Sequence, residues 1–414
     1  MNKKQRIENA LWGLFIGDAL AMPVHWYYNR ENIYSDYPGG IQGYEAPKHP
    51  HPESFMVGMS YQPDVESARR LGRPFDILHD HARFYDTSYS SLAIERSEQE
   101  SEHGNAVPAL DERYHYHTGL SAGENTLAAH LARVLMRSTI DRGRYDQNAF
   151  LNAFVRYMTT PGANHDPYAE IYLRHWFENY ASGRDPVCCA DTQRNTWSIG
   201  SHGGMIRPLV LALLAADDGA AGLGLAVEHQ NLTHRSENVA AALSVTTAIL
   251  QDTVAGESFR KAVSAHADRL RKPKVSGKEL YAAYRSHDGP GNIPSAEMWR
   301  LHTELEAFDL HALVSQQKED DVINEVFATA CYPEHGLPLA LYLALKHDGD
   351  LRASLTANAN AGGDNVHRGA VLGILVGAAC DEIPSDLREG LADSAELQKE
   401  IDAFADCAVS GYSL

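Results

Sequence analysis

Cysteine is scarce in this chain: five in 414 residues, with Cys188 and Cys189 adjacent and Cys331, Cys380 and Cys407 isolated. No C-x-x-C pair occurs, which excludes a zinc ribbon and a thioredoxin-type motif and makes a reducing compartment the expected setting. Basic residues are also in deficit. Lys and Arg number 36 against 55 Asp and Glu, for a formal charge of −19, and no Lys/Arg-rich stretch stands out. That balance excludes a mainly electrostatic grip on nucleic acid or an anionic membrane. Long hydrophobic runs are missing too: the longest late one, Ala370 to Cys380, is too short to span a bilayer. At the N-terminus Lys3, Lys4 and Arg6 precede an apolar stretch, but Glu8 and Asp18 interrupt it. Its apolar residues keep helical spacing, so it reads as a folded helix and not as a targeting segment. A cytoplasmic protein is expected. Strand signals are absent, and no repeat of fixed period is evident.

What is present is helical. Hydrophobic residues make up 44% and charged residues 22%, a globular balance that excludes global disorder. Ile7, Leu11, Leu14, Phe15 and Ala19 recur at three- and four-residue steps. So do Leu127, Leu131, Val134 and Leu135, then Val239, Leu243, Thr246 and Leu250. Ser236 before Glu237 reads as an N-cap with an acid in the first turn. Gly369 to Ala379 is apolar all round and belongs at the centre. The expected fold class is all-α, a single domain over residues 1–414. Long polar loops interrupt it near 36–55, 95–123 and 286–295, and loops of that length are often functional.

Two segments carry most of the chemistry. In Gly17-Asp18-Ala19-Leu20-Ala21-Met22-Pro23-Val24-His25-Trp26, an acid sits in an apolar helix that Pro23 should end. In Asn358 to Ala370, a small-residue turn presents Asn360, Gly362, Gly363, Asp364, Asn365 and His367 and then opens the most apolar helix. Glycines that let backbone approach a ligand, polar side chains and a helix N-terminus together point to a ligand site. An ordinary helix start is the competing reading of such a turn.

Taken in order, GDALAMPVHW, GENTLAAHLARVL (123–135), GSHGGMIRPLVL (200–211), LTHRSENVAAALS (232–244) and GGDNVHRGAVLGILVGA (362–378) resemble the motifs of the ADP-ribosylglycohydrolase family, over roughly residues 7 to 385. The resemblance implies an orthogonally packed helical domain. It also implies two magnesium or manganese ions held by acids of the second and last motifs, with hydrolysis of a bond from ribose C1 to nitrogen or oxygen. Thr233 and His234 match a motif pair that would support the cleft.

The chain departs from the family pattern where metal ligands are expected. His25 stands where the family has Glu, and Gly123-Glu124-Asn125-Thr126 stand for T-D-D-T. Asp364 is kept, but Val366 and His367 replace the next Asp and Thr, and Ser201-His202-Gly203 stand for S-N-G. Two acids cannot neutralise two dications, and magnesium needs a near-octahedral oxygen shell. One ion, magnesium or manganese, held by Glu124, Asn125 and Asp364 with His25 or His367 is one expectation; histidine ligands would favour zinc, manganese or iron. No metal at all is the other, with His25, Glu124, Asp364 and His367 as an acid/base site. Asp18, Trp26, Ser201, His202, Gly203, Asn360, Gly362, Gly363 and Asn365 would line the substrate pocket. The expected function is hydrolysis of a glycosidic, ribosyl-like or related bond in a small-molecule substrate. The alternative is an inactive relative that binds a ligand or serves a structural role. His115-Tyr116-His117 and His79-Asp80-His81 read as solvated loops, and Cys188-Cys189 as a buried pair.

Overall fold

The computed structural model describes residues 1–85, 113–191, 200–289 and 292–410. Helices dominate. Among the described residues, strand is confined to a two-residue antiparallel pair, Lys272–Pro273 with Leu305–Glu306. The 36–55 stretch is indeed without helix beyond Asp36. Of the expected 95–123 loop, residues 95–112 lie outside the described residues, as do 290–291 of the third loop. No helix among the described residues is long and apolar enough to cross a membrane.

The centre is a pair of helices, Lys3–Ala21 and Asn365–Ala379. The second is buried along almost its whole length, as its all-round apolar sequence requires. Glycines at four-residue spacing face each other across the pair. A Cβ on Gly13 would fall 2.0 Å from the Gly373 carbonyl oxygen, and one on Gly17 would fall 2.2 Å from that of Gly369. A Cβ on Gly377 would fall 2.3 Å from the Asn9 carbonyl. Only residues without side chains allow backbones this close. The register is antiparallel, since the lower number on one helix meets the higher on the other. The C-terminal end of Lys3–Ala21 therefore meets the N-terminal end of Asn365–Ala379. That places His25, just beyond the one, beside Asp364, just before the other.

The first helix stops where Pro23 predicts. Met22–Val24 tightens into a 3-10 turn, and His25 is extended. Ser236 caps Glu237–Ala255 by accepting from the Val239 N–H. The helix Leu127–Arg142 starts on two buried carboxylates. Asp18 accepts from the Thr126 N–H and hydroxyl and from the Asn125 amide, while Asp166 accepts from the Leu127 N–H at 2.7 Å. Unpaired N–H groups at a helix start favour acids in this position.

Candidate functional site

The first and last motifs are stitched together by backbone. The Trp26 N–H donates to the Gly363 carbonyl at 2.9 Å, and the Gly363 N–H donates to the Tyr27 carbonyl at 2.7 Å. Gly362 and Gly363 both have positive φ, and their missing side chains face protein: a Cβ would meet the Tyr27 carbonyl at 2.1 Å and the Thr329 carbonyl at 2.2 Å. The two glycines serve chain crossing and do not lie open to a ligand. Trp26 has φ +66, a strained value for a bulky residue, and its ring stacks on His25 with centroids 4.7 Å apart.

Asp364 is the hub. Its Oδ1 lies 3.2 Å from His25 Nε2 and 2.6 Å from His367 Nδ1, and its Oδ2 lies 3.2 Å from His202 Nδ1. His367 Nε2 lies 3.3 Å from Glu170 Oε1. His25 Nδ1 meets His117 Nε2 at 2.7 Å, and His117 Nδ1 meets Asp166 Oδ1 at 2.9 Å. One connected network thus runs Asp166–His117–His25–Asp364 and on through His367 to Glu170. Its three histidines are buried, as is His202 beside it.

Burial and charge act in opposite directions across this network. Burial pushes His25 down to about 3, against the pull of Asp364, so it is neutral at pH 7. Burial also lowers His202, which stays neutral in spite of its bond to Asp364. Burial disfavours charge on His367 as well, but Asp364 and then Glu170 outweigh it and hold its pKa well above the usual value. Burial likewise disfavours charge on Asp364, yet His367 and the bonds from His202 and His25 keep it well below the carboxylate range. The site without an added cation is a buried carboxylate that demands positive charge at His367. The 2.6 Å approach of His367 Nδ1 to Asp364 is an ion-pair contact only, because it lacks hydrogen-bond alignment.

Asp364 reaches a cavity of about 250 Å³ whose walls include Trp26, Tyr28, Phe55, Tyr168 and Tyr172, with Glu170, Arg174, His175 and Ser201 as polar groups. Tyr28, Phe55 and Cys331 are shared with a wider cleft of about 600 Å³. Tyr281, Tyr284, Lys278 and Arg285 line that outer part.

The expected residues divide sharply. His25, His202, Asp364 and His367 come together, and Trp26 and Ser201 line the cavity. Gly203 sits against Glu170: a Cβ there would lie 3.0 Å from Oε2. Glu124 stands apart. It is half-buried and turns back to accept from the Ser121 N–H, three residues away. Asn125 gives its amide to Asp18 and to the Phe15 carbonyl. Asp18 is wholly buried and caps a helix, with both oxygens occupied. Asn360 is held by Ile41 on both amide atoms, and Asn365 donates to the Val24 and Ala359 carbonyls. The amide nitrogens of both serve neighbouring backbone, while Asn365 Oδ1 is buried without a hydrogen-bond partner.

Other expectations are corrected outright. His115, Tyr116 and His117 are buried, not solvated, because His117 pairs with Asp166 and His115 lies against the Pro23 carbonyl. His79 is held by the Met158 carbonyl. Of the vicinal cysteines only Cys189 is buried; Cys188 is exposed. Sequence reasoning missed Glu170, Asp166, Tyr28 and Tyr168 at the site. It also missed the task of Arg368, a buried guanidinium that donates to Asn358, Thr329 and Gly362 and braces the Asp364 turn.

The two-ion arrangement that the resemblance implies does not fit these residues. Among the described residues, the group of His, Cys, Asp and Glu side chains able to surround an ion is His25, Asp364 and His367. One carboxylate and two ring nitrogens cannot serve a pair of hard oxygen-seeking ions. Glu124 and Asn125, the nearest counterparts of the family's second-motif acids, are held elsewhere.

No curated protein matches the sequence. Among solved structures, an "ADP-ribosylglycohydrolase-related protein complex" is similar over 98% of this chain and 99% of that one, at 17% identity and a TM-score of 0.54. That likeness concerns the fold. The sequence itself matches the family described as ADP-ribosylglycohydrolase over residues 1–412. The chain belongs to the ADP-ribosylglycohydrolase family.

Proposed function

We propose that the protein is a hydrolase that cleaves a bond between ribose C1 and nitrogen or oxygen in a small-molecule conjugate. The observation that carries this reading is the pairing of Asp364 and Glu170 on one aromatic-walled cavity, bridged behind by His367. The volume of about 250 Å³ suits a sugar ring. The wider cleft offers Tyr281 and Tyr284 to stack on a base and Lys278 and Arg285 to meet phosphate.

As the C1 bond breaks, positive charge develops on the ribose ring. Two carboxylates fixed beside it stabilise that charge, and a preorganised pair in a water-poor pocket does so more strongly than solvent. Glu170 takes a proton from the attacking water, whose oxygen bonds to C1. The leaving nitrogen or oxygen gains its proton on the outer side, where the cleft is open. His25, His117 and His202 do not line the cavity; they hold Asp364 in place and tune its charge.

The test is a panel of N- and O-ribosyl conjugates, with and without an ADP group, scored for release of the free sugar. The account expects turnover of at least one conjugate and a loss of about a thousandfold in kcat for both Asp364→Asn and Glu170→Gln. Turnover that survives both substitutions would sink it.

A further inference from the structure

With His25 and His117 both neutral, the hydrogen bonds around Asp364 are one proton short. Asp166 accepts from the Leu127 and Tyr168 N–H groups, so its remaining partner, His117 Nδ1, is a donor. In a neutral ring, His117 Nε2 is then an acceptor, and the N–H of the 2.7 Å bond belongs to His25 Nδ1. His25 Nε2 is left with a lone pair, 3.2 Å from a carboxylate oxygen, Asp364 Oδ1. The other tautomer of His25 only moves the clash to His117. On the far side, His367 Nε2 faces Glu170 and carries the proton. Its Nδ1, buried and without a hydrogen-bond partner, lies 2.6 Å from the same Asp364 oxygen. The other Asp364 oxygen accepts from His202 Nδ1. Two imidazole nitrogens and one carboxylate oxygen, all from buried residues, therefore lie within 4.8 Å of one another.

We propose that His25 Nε2, His367 Nδ1 and Asp364 Oδ1 hold a single divalent transition-metal ion. One such ion satisfies all three atoms at once. A proton on His367 alone leaves the His25 lone pair facing Asp364. The surroundings match what metal-binding side chains need: each ring offers its second nitrogen to an outer partner, and the carboxylate offers its second oxygen to His202. His25 is backed by His117 and Asp166, and His367 by Glu170. Two nitrogens and one oxygen suit zinc, iron(II), manganese or cobalt better than magnesium or calcium. Separations of 3.2 and 2.6 Å bracket the ~3 Å ligand spacing that metal–ligand bonds of about 2.1 Å produce. Asp364 also lines the cavity, so the site adjoins it. This site stands on the hydrogen-bond polarity and is independent of which conjugate is cleaved.

The experiment strips the full-length protein with chelator and titrates it with cobalt(II), following the visible d–d bands, with zinc as competitor. The expected result is one equivalent bound, displaced by zinc, with a rise in Tm on metal addition. His25→Ala and His367→Ala should each remove the bands. Asp166→Asn, which leaves the three ligands in place and alters the partner of His117, should weaken binding about 10- to 100-fold. His335→Gln, a buried histidine away from the three ligands, should leave the stoichiometry at one. Circular dichroism and apo-protein Tm guard against misfolding, and His367→Gln provides a second variant if the alanine form does not fold. Failure of the wild-type protein to bind cobalt or zinc at micromolar concentration would overturn the proposal, as would unchanged bands in the folded histidine variants. Either result would leave the hydrolase reading in place.

Discussion

His25 and His117, 92 residues apart in sequence, share a 2.7 Å nitrogen–nitrogen hydrogen bond, with ring planes 10° apart. The bond links the end of the first helix to a loop that begins beyond residues outside the described structure. It links Asp166 to the His25 imidazole beside Asp364. Replacing Asp166 by Asn puts an amide where His117 needs an acceptor and lets the ring turn over. Asp166→Asn should cost about 10- to 100-fold in kcat/KM, with a far smaller change in KM. Steady-state kinetics on a folded variant checks this, and unchanged kcat would reduce the His117 bond to packing.

Glu124 and Asp364 look equivalent in sequence, as the two acids retained in the second and last motifs. The structure separates them, one closing a local turn and the other buried at the hub. Glu124→Gln should therefore change kcat by no more than about threefold, against about a thousandfold for Asp364→Asn. A large loss in the Glu124 variant would mean that this acid moves to the cavity when substrate binds.

The glycine contacts between the Lys3–Ala21 and Asn365–Ala379 helices set the position of the site. A Cβ on Gly373 would fall 1.9 Å from the Gly13 carbonyl oxygen, and backbone cannot yield as a flexible side chain can. Gly373→Ala should destabilise the fold by at least about 3 kcal/mol. Urea unfolding measures it. A cost below about 1 kcal/mol would show that the helix pair can separate freely.

Acid should unfold the protein earlier than its carboxylates alone would predict. Burial holds His335 down to about 3 and His130 down to about 4. Unfolded, each returns to about 6.5 and binds a proton that the native state refuses. The stability they permit is complete above pH 6.5 and is lost as pH falls toward 4, at up to about 1.4 kcal/mol per pH unit for each group. The urea midpoint of the wild type should fall across that window, and His335→Gln should fall less steeply. Parallel curves would contradict the assignment.

The helical class was legible because long stripes such as Leu127 to Leu135 need no tertiary partner to declare themselves. His25, His202, Asp364 and His367 were legible because they occupy motif positions. The glycines at 13, 17, 369, 373 and 377 were visible as letters, but their task appears only when two helices 350 residues apart meet. Glu170 and Asp166 carry no local signal: each is one acid among 55 until packing brings it to a histidine. Asp18, Asn360 and Asn365 show the opposite case, polar letters in the motifs whose bonds go to neighbouring protein. Polar residues beside a functional turn are also what a buried turn needs to pair its own backbone.

The account's central claim is hydrolysis at ribose C1, and oxygen tracing tests it most directly. The protein is incubated with an O-ribosyl ester in water enriched in heavy oxygen, and the released acid, whose oxygens do not exchange with water as a sugar's anomeric oxygen does, is weighed by mass spectrometry. The account predicts an unlabelled acid, because the bond from C1 to oxygen is the one broken, with release lost in Asp364→Asn. Released acid carrying one heavy oxygen, or no release from any conjugate by the folded, metal-supplied protein, would contradict it.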